Sequence, residues 1–255
     1  MKRDAMQKTV LITGAARRLG AAMAKGLAHR GYAVVIHYHQ SRDEATGLVE
    51  KIREDGGTAC AVHGDLTDEN STRELIAKSC GTLGSLGILI NNASVFEDDV
   101  IGDHDSALWH KHFQIHVRAP ALLAAEFSQQ LPDDAKGLIV NIIDQRVLKP
   151  NPNFHSYTLS KSALWTATRT MAQALAPRIR VNAIGPGPTL PSFRQTQDQF
   201  DQQVKNLPLQ LSPLLDDFAA TIDFFANTES ITGQMIALDG GQHLAWETED
   251  MKVKE

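Results

Sequence analysis

The feature that most constrains the fold is a regular alternation of short apolar runs with segments of helical periodicity. Seven such runs, rich in β-branched residues, predict seven β-strands at Thr9 to Ile12, Ala33 to Tyr38, Ala59 to His63, Ile88 to Ile90, Leu138 to Ile143, Ile179 to Ile184 and Gln234 to Leu238. Strands that alternate with helices pair in parallel through right-handed crossovers, with helices on both faces of the sheet. The sequence therefore predicts a doubly wound α/β fold.

A single domain over residues 1–255 is expected, because no linker, repeat or low-complexity tract divides the 255 residues. Five prolines make the segment from Pro186 to Pro213 irregular. We predict a substrate loop there (186–213), placed after the sixth strand. The charged residues Glu247 to Glu255 are predicted to form a frayed tail.

Composition narrows the possible partners. The formal net charge is -5 and lysine and arginine form no cluster, so the chain has no electrostatic basis for binding nucleic acid or an anionic membrane. Its longest apolar runs fall far short of the roughly 20 residues that a membrane-spanning helix needs. Met1 to Lys8 lacks the features of a signal peptide. We therefore expect a cytoplasmic protein that acts on a small molecule.

The turn after the first strand carries the first functional signal. Thr13 to Gly20 joins that strand to a helix, which is the setting in which a glycine motif binds phosphate. Gly14 permits the tight turn and Gly20 permits close packing of the helix. The amides at the helix start lie at the positive end of its dipole and would face a pyrophosphate. We predict a dinucleotide site here, with Arg18 and Leu19 in the same turn.

The end of the second strand indicates which dinucleotide is bound. A site for NAD usually places an acid there to bind the ribose 2′-hydroxyl, but no acid precedes Asp43. His39, Ser41 and Arg42, with Arg18 nearby, can instead hydrogen-bond a 2′-phosphate, which favours NADPH over NADH. Arg42 is equally compatible with a solvated position on the following helix.

Two further turns follow the third and fourth predicted strands. Asp65 and Leu66 lie in the first of them, and Asn92 and Ala93 lie in the second. Ligands of open α/β sheets bind at such strand ends, so Asp65 can accept from an adenine amine and the second turn can approach the adenosine ribose. Alone, each turn would be interpreted as one stabilised by its Asx side chains. Together they favour a cofactor cleft.

A candidate catalytic pair lies in the helix after the fifth strand. Tyr157 and Lys161 are four positions apart and therefore on one helix face. A cation favours phenolate, so we expect Lys161 to lower the pKa of Tyr157 from its reference of about 10. Such a tyrosine can act as a general acid while a nicotinamide gives a hydride. The pair predicts reduction of a polar double bond.

These motifs together resemble the short-chain dehydrogenase/reductase family, and the resemblance covers nearly the whole chain. The elements found in the order and spacing of that family are the glycine turn, Asn91-Asn92-Ala93, Tyr157 with Lys161, Arg180-Val181-Asn182 with Pro186-Gly187, and Leu238-Asp239-Gly240-Gly241. The resemblance implies a seven-stranded Rossmann domain that assembles as a homotetramer. It also implies that Tyr157 is the acid/base, that Lys161 holds the nicotinamide ribose, and that Pro186 and Gly187 contact the cofactor.

Three residues depart from the usual pattern of the family. Arg18 stands where the glycine turn normally has its middle glycine, and Asp144 replaces the serine that usually polarises a carbonyl. His116 occupies the place of the asparagine that commonly completes the proton relay. With the segments His37 to Ser41 and Asn92 to Phe96, these departures resemble the pteridine reductases and their dihydromonapterin reductase relatives, which reduce C=N bonds.

That branch implies roles for the residues around the substrate. Phe96 would stack on a pterin held against nicotinamide, and Ser94 and Arg18 would contact polar atoms of the ring or phosphate. Asp144 would orient Tyr157 or deliver protons through water. The chemistry agrees, because a carboxyl group can relay a proton to a ring nitrogen but poorly serves a carbonyl oxygen that gains negative charge. Gln40 stands where the branch often has an arginine, so the grip on the 2′-phosphate relies on Arg42 or is weaker.

The sequence thus predicts an NADPH-dependent short-chain reductase of a pterin-like substrate. A carbonyl reductase of a ketone or 3-oxoacyl thioester is one alternative, because Tyr157 and Lys161 are both present. A non-catalytic NADPH-binding sensor is another, because the usual serine and asparagine are missing. His112 and His116 have the spacing of a metal pair, but no HExxH glutamate or cysteine ligand accompanies them, and we expect no metal.

Overall fold

A computed structural model describes residues 6–247 and contains a seven-stranded sheet in the order β3-β2-β1-β4-β5-β6-β7. All neighbouring strands in this order are parallel. The strands are β1 (Thr9–Ile12), β2 (Ala33–Tyr38), β3 (Thr58–His63), β4 (Ile88–Asn91), β5 (Gly137–Ile142), β6 (Ile179–Pro186) and β7 (Met235–Leu238). The predicted doubly wound α/β fold is confirmed. Of the predicted tail, all but Glu247 lies outside the described residues.

Eight α-helices connect and cover these strands in the described part of the chain. They are α1 (Arg18–His29), α2 (Arg42–Glu54), α3 (Glu69–Leu83), α4 (Ser106–Phe113), α5 (Ala119–Gln130), α6 (His155–Leu175), α7 (Gln197–Lys205) and α8 (Leu215–Asn227). A π-helical turn at Gln114–Arg118 joins α4 to α5 without a break. Within residues 6–247, no helix is long and apolar enough to cross a membrane.

The core lies on both faces of the sheet, which explains why the strands are apolar throughout. Successive side chains of a strand point to opposite faces, and in β1 Val10 and Ile12 join one apolar cluster while Leu11 joins the other. All three are fully buried. Helices α1 and α8 pack on the first face and helices α3 and α5 on the second. Polar residues therefore become available only where the strands end.

The order of the strands places a crevice above β1 and β4. The chain builds the sheet from β1 outward to β3, then returns to add β4 beside β1. Connections from the two halves leave in opposite directions at this point, which opens a cleft at the carboxyl ends of the strands. The turn from β1 to α1 and the turn after β4 border that cleft.

The irregular segment predicted at 186–213 contains a short helix. Strand β6 continues to Pro186, and α7 then lies inside the segment. A capping box starts α7, in which Thr196 and Gln199 satisfy each other's backbone N–H groups. Phe200 is buried beneath the segment. The chain after β6 therefore contains a capped helix with one buried aromatic side chain.

Adjacent aromatic residues on α8 provide a test of how this helix packs on the sheet. Phe225 is fully buried whereas Phe224 is 47% exposed. Replacing Phe225 with Ala should lower the free energy of unfolding by about 3–5 kcal/mol, because it removes buried apolar contacts and leaves a cavity. Phe224→Ala, the matched control, should cost less than about 1 kcal/mol. Urea titration of both variants measures the difference, and equal losses would contradict the described packing of α8.

Candidate active site

The cleft above the sheet consists of three adjoining cavities. Their volumes are about 660, 230 and 350 Å³. The largest lies over the glycine turn, the smallest contains Tyr157 and Lys161, and the third is bordered by the segment after β6. Arg18 lines all three. The predicted cofactor and catalytic residues therefore face one continuous cleft.

The glycine turn is held closed by the turn after β4. Gly14 has a φ of +61°, and a side-chain Cβ there would lie 2.9 Å from the Cα of Ala93, so only glycine fits without strain. Asn92 Nδ2 donates to the carbonyl oxygens of Thr13 and Gly14 at 2.8 and 3.1 Å. The Thr13 hydroxyl accepts from the backbone N–H groups of Asn92 and Ala93. The two predicted motifs thus form one rigid unit.

Gly20 and Arg18 shape the start of α1. A Cβ on Gly20 would lie 2.6 Å from the carbonyl oxygen of Gly14, which agrees with the predicted close packing. Arg18 has a φ of +52°, in the left-handed region that favours glycine. Its Nη2 donates to the carbonyl oxygen of Pro191 at 2.9 Å. Arg18 therefore ties the glycine turn to the segment after β6.

His37 is a contributor that the sequence did not reveal. The backbone N–H of Gly14 donates to His37 Nδ1 at 3.0 Å, so the ring proton is on Nε2 and is donated to the carbonyl oxygen of Gly64 at 3.1 Å. Burial lowers the pKa of His37 to about 4. The neutral ring bridges the glycine turn and the turn after β3. A histidine inside an apolar strand was the only signal in the sequence.

Most of the predicted cofactor residues line the largest cavity. They are Gly14, Arg18, Leu19, Gly20, His39, Ser41, Asp65, Leu66, Asn92 and Ala93. Pro186 and Gly187 line the two smaller cavities. Arg42 is exposed on the first turn of α2 and does not line the cleft, and its guanidinium lies 6.0 Å from the centre of the Tyr38 ring.

Asp65 has neighbours of two kinds. Its Oδ1 accepts from the backbone N–H and the hydroxyl of Thr67 at 2.8 and 2.7 Å, which is the turn-stabilising role considered above. Its Oδ2 lies 3.6 Å from His39 Nε2. One carboxylate oxygen therefore serves the turn while the other faces the edge of the cofactor cavity.

Tyr157, Lys161 and Asp144 meet at the end of β5. The Tyr157 hydroxyl donates to Asp144 Oδ2 at 2.9 Å. Lys161 Nζ donates to the carbonyl oxygen of Ile142 at 2.9 Å and lies 5.7 Å from the centre of the Tyr157 ring. Asp144 is itself oriented by Arg146, whose backbone N–H and guanidinium both donate to it. The three predicted catalytic side chains are thus brought together.

The direction of the Tyr157 pKa corrects the sequence-based expectation. Burial and then the negative charge of Asp144 raise the pKa of Tyr157 well above 10, while Arg146 and a hydrogen bond from Ser94 lower it by less. The expected lowering by Lys161 is wrong because the ammonium binds a carbonyl oxygen and the phenol binds a carboxylate. Burial lowers the pKa of Lys161 itself to about 8, although Asp144 opposes that effect.

The third cavity is aromatic and basic. Phe96 stacks on Phe154 with ring centres 4.3 Å apart and meets the Tyr157 ring edge-on at 4.8 Å. The guanidinium groups of Arg146 and Arg194 lie 5.2 and 5.0 Å from the centre of the Phe96 ring. Sequence reasoning found Phe96 but missed the other three residues, which lie in irregular segments without a periodic signal.

The two histidines with metal-like spacing bind serines instead. His112 Nδ1 lies 2.7 Å from Ser156 Oγ, and His116 Nδ1 lies 2.8 Å from Ser160 Oγ. Both pairs repeat every four residues, so they join the α4–α5 helix to α6 one turn apart. Across residues 6–247, no group of three His, Cys, Asp or Glu side chains is arranged to hold a metal ion.

A model of the family described as short chain dehydrogenase matches residues 8–202. The chain belongs to this family. A 3-oxoacyl-[acyl-carrier-protein] reductase of Staphylococcus epidermidis is 29% identical over 244 residues, which cover 94% of this chain and 100% of the relative.

Solved structures with similar folds carry more specific descriptions. FolM alternative dihydrofolate reductase 1 from Brucella canis, complexed with NADP, is 54% identical with a TM-score of 0.93 and covers 95% of this chain and 96% of its own. A blue fluorescent protein from a metagenomic library, in complex with NADPH, is 29% identical with a TM-score of 0.84 and covers 91% of this chain and 96% of its own.

The bridging role of His37 predicts a specific dependence of stability on pH. Because the folded state takes up a proton on this ring only near pH 4 while an unfolded histidine does so near about 6.5, stability should fall as the pH drops from about 6.5 to about 4. This difference in pKa corresponds to about 3 kcal/mol of the free energy of unfolding, which is lost over that pH range. Urea titration at stepped pH should show it in the wild type.

His37→Leu should remove this part of the pH dependence, because no ring remains to be protonated. His29→Leu is the control, since the His29 side chain is 64% exposed. An identical pH slope in the wild type and His37→Leu would show that the ring does not titrate as the structure indicates.

Proposed function

We propose that this protein is an NADPH-dependent reductase that transfers hydride to the C=N bond of a pterin-like substrate. The observation that carries the proposal is the 2.9 Å hydrogen bond from Tyr157 to Asp144, at the position where the family usually has a serine. The Brucella canis relative, a FolM alternative dihydrofolate reductase complexed with NADP, supports the same assignment.

The cofactor end of the cleft fits a dinucleotide. Gly14 and Gly20 bring the backbone so close that a Cβ would clash, and α1 points its amide end at the turn. His39 and Ser41 line the far edge of the cavity, where they would hold the 2′-phosphate with the exposed Arg42 closing over it. The reduced nicotinamide supplies the hydride when the cofactor is bound. Lys161 would hold its ribose, and Pro186 and Gly187 would lie beside the ring.

Tyr157 supplies the proton in this proposal. Burial and Asp144 keep the pKa of Tyr157 well above 10, so the side chain stays a phenol and a proton donor at neutral pH. Its proton would pass to the ring nitrogen as hydride arrives at the adjoining carbon. Asp144, which faces both Tyr157 and Arg146, would then orient the phenol for the next turnover or return a proton through water.

The substrate end fits a flat heterocycle. Phe96 lies between the cofactor cavity and the third cavity and lines both of them. Its ring would stack on a pterin, with Arg18 and Ser94 contacting polar atoms at the rim. Arg146 and Arg194 add positive charge beside the same ring. An electron-poor, hydrogen-bonding ring suits these walls better than a flexible acyl chain.

Two alternatives are weaker on chemical grounds. A carbonyl reductase is favoured by the similarity to the Staphylococcus epidermidis 3-oxoacyl reductase, but Asp144 would oppose the negative charge that develops on a carbonyl oxygen. A sensor without catalysis would not need the buried Tyr157 and Lys161 to converge with the partly buried Asp144. We further propose a single domain over 1–255 with a substrate loop at 186–213, a homotetramer, and a cytoplasmic location.

The substrate assignment is tested by comparing two substrate classes in the wild type and two variants. The wild type should reduce dihydrobiopterin or dihydromonapterin with NADPH and be much slower with acetoacetyl thioesters. Tyr157→Phe should lower kcat on the pterin by about 10²–10⁴-fold, because it removes the general acid, and should retain NADPH binding. Steady-state assays and NADPH fluorescence titration give these values.

Asp144→Ser, which restores the usual residue of the family, tests whether Asp144 favours the pterin over the thioester. It should lower kcat/KM on the pterin by about tenfold or more and leave the thioester activity unchanged or higher. Brisk ketone reduction by the wild type without pterin turnover would overturn the assignment. Tight NADPH binding without turnover of either class, unchanged in Tyr157→Phe, would favour the sensor.

Cofactor choice gives an independent prediction. Replacing Ser41 and Arg42 together with Ala should raise KM for NADPH by about tenfold or more and leave KM for NADH nearly unchanged, because only NADPH carries the 2′-phosphate. Ser41→Ala alone separates the residue that lines the cavity from the exposed Arg42. Equal effects of the double variant on the two cofactors would remove the basis for choosing NADPH.

A further inference from the structure

His116 is buried beside Tyr157, outside the walls of the cleft, where the helix geometry changes. It occupies the π-helical turn between α4 and α5 and is 1% exposed. A π-helical turn adds a residue to the helix and redirects the side chains around it, and such turns are frequent at functional sites. The ring of His116 meets the Tyr157 ring edge-on with centres 5.4 Å apart. It is therefore adjacent to the catalytic phenol without touching its hydroxyl proton.

The hydrogen bonds of His116 define which ring nitrogen carries the proton. The backbone N–H of Val95 donates to Nε2 at 3.2 Å, and because an amide N–H can only donate, Nε2 is unprotonated. At the other side, Nδ1 lies 2.8 Å from Ser160 Oγ. The Ser160 hydroxyl uses its own proton on the carbonyl oxygen of Tyr157, so Nδ1 must be the donor. Two independent contacts thus require the same tautomer.

This tautomer determines the direction of the Ser94 hydroxyl. Ser94 Oγ lies 3.0 Å from His116 Nε2, and an unprotonated Nε2 can only accept, so Ser94 donates its proton to His116. Two other acceptors lie near the Ser94 hydroxyl, the Tyr157 oxygen and, at 3.4 Å, the Val95 carbonyl oxygen. A Ser94 proton turned to either of them would leave two acceptors without a shared proton, Ser94 Oγ and His116 Nε2, only 3.0 Å apart. The Ser94 oxygen keeps its lone pairs for the cleft, where Ser94 lines both the cofactor cavity and the cavity of Tyr157.

We propose that His116 is a specificity-determining positioning residue, which accepts a hydrogen bond from the Ser94 hydroxyl and so leaves the Ser94 oxygen to accept from an N–H group of a bound ligand. This inference rests on the proposed function. Two ligands can supply such a group, the pterin through its ring and amino N–H groups and NADPH through its carboxamide. A ketone or acyl thioester at the same place offers only a hydrogen-bond acceptor. To bind it, the Ser94 hydroxyl would have to turn its O–H away from His116.

Buried surroundings keep this arrangement stable near neutral pH. The titratable groups packed around His116 are His112, Tyr157 and Lys161. Burial, and then the positive charge of Lys161, lower the pKa of His116 well below 6.5. A protonated ring would lose its Val95 and Ser94 contacts, since both nitrogens would then be donors. Val95 also keeps one hydrogen bond on Nε2 if Ser94 turns away.

Four variants and a double variant separate polarity from packing. His116→Asn keeps a donor at the Nδ1 position and removes the acceptor facing Ser94, whereas His116→Gln places an amide oxygen near the Nε2 position. His112→Asn is the matched control, because His112 makes the same type of bond to Ser156 one turn earlier, is equally buried and does not contact Ser94. Ser94→Ala and Ser94→Ala/His116→Asn complete a double-mutant cycle.

The affected affinity should be that of the ligand whose N–H faces Ser94. His116→Asn should raise KM for the pterin, or Kd for NADPH, by about tenfold, because one buried hydrogen bond is lost, with kcat changed by less than about threefold. Ser94→Ala should give the same rise, and the double variant should be no worse. His116→Gln should recover most of the affinity, and His112→Asn should match the wild type. A change in pterin KM alone identifies the substrate as the donor, and a change in NADPH Kd alone identifies the carboxamide.

Equal losses in His116→Asn and His112→Asn, or additive effects of His116→Asn and Ser94→Ala, would overturn the proposal in favour of simple packing. A substrate-independent measurement completes the test. ¹⁵N NMR of the histidine rings, with His116 identified by its absence in His116→Asn, should show Nδ1–H at neutral pH and a shifted Nε2 signal in Ser94→Ala. An Nε2–H or charged ring would overturn it as well. If the wild type reduces no pterin, the proposed function is lost, but the NMR and NADPH results still decide the role of His116.

Discussion

The hydrogen bond between Tyr157 and Asp144 is the interaction on which the arrangement of the cleft depends. It requires the end of β5 and the start of α6 to be fixed relative to each other. Phe154 precedes α6 in the left-handed region with φ of +56°, and Asp99 holds the turn by accepting from the backbone N–H groups of His155 and Ser156. The same turn therefore fixes the position of the Tyr157 phenol and places the Phe154 ring in the wall of the third cavity.

The electrostatics of that pair favour one kind of chemistry. A carboxylate beside a buried phenol raises the phenol pKa, so Tyr157 holds its proton until an acceptor of sufficient basicity arrives. The nitrogen of a C=N bond becomes such an acceptor as hydride reaches the adjoining carbon. A carbonyl oxygen also gains negative charge as hydride arrives, but it is less basic than a ring nitrogen and takes its proton later, so more of that charge would develop beside the Asp144 carboxylate. In the proposed reaction, the carboxylate at position 144 therefore favours protonation of a nitrogen over protonation of an oxygen.

The positions of the strands were predictable because a parallel sheet buries both faces, so that each strand is a short apolar run. The glycine turn and Tyr157 with Lys161 were predictable because local spacing alone places them. The roles of His37 and His116 depend on which nitrogen meets which backbone group, and sequence carries no record of that. The pKa of Tyr157 was predicted in the wrong direction because sequence spacing places Lys161 near the phenol but shows neither how deeply the phenol is buried nor that a negative charge lies beside it, the two largest causes of the raised pKa.

The three departures from the family pattern act on one place although they are far apart in sequence. Arg18 ties the glycine turn to the segment after β6, Asp144 binds the Tyr157 hydroxyl, and His116 Nε2 lies 3.0 Å from Ser94 Oγ. Arg18 lines the cavity that also contains Tyr157 and Ser94. Arg18, Asp144 and His116 therefore all contact residues of the same small cavity. The sheet beneath them needs no change to accommodate this, because its carboxyl edge fixes positions and leaves the identity of the side chains free. All three departures therefore lie in or beside the cleft above the strand ends, and none of them lies in a buried strand.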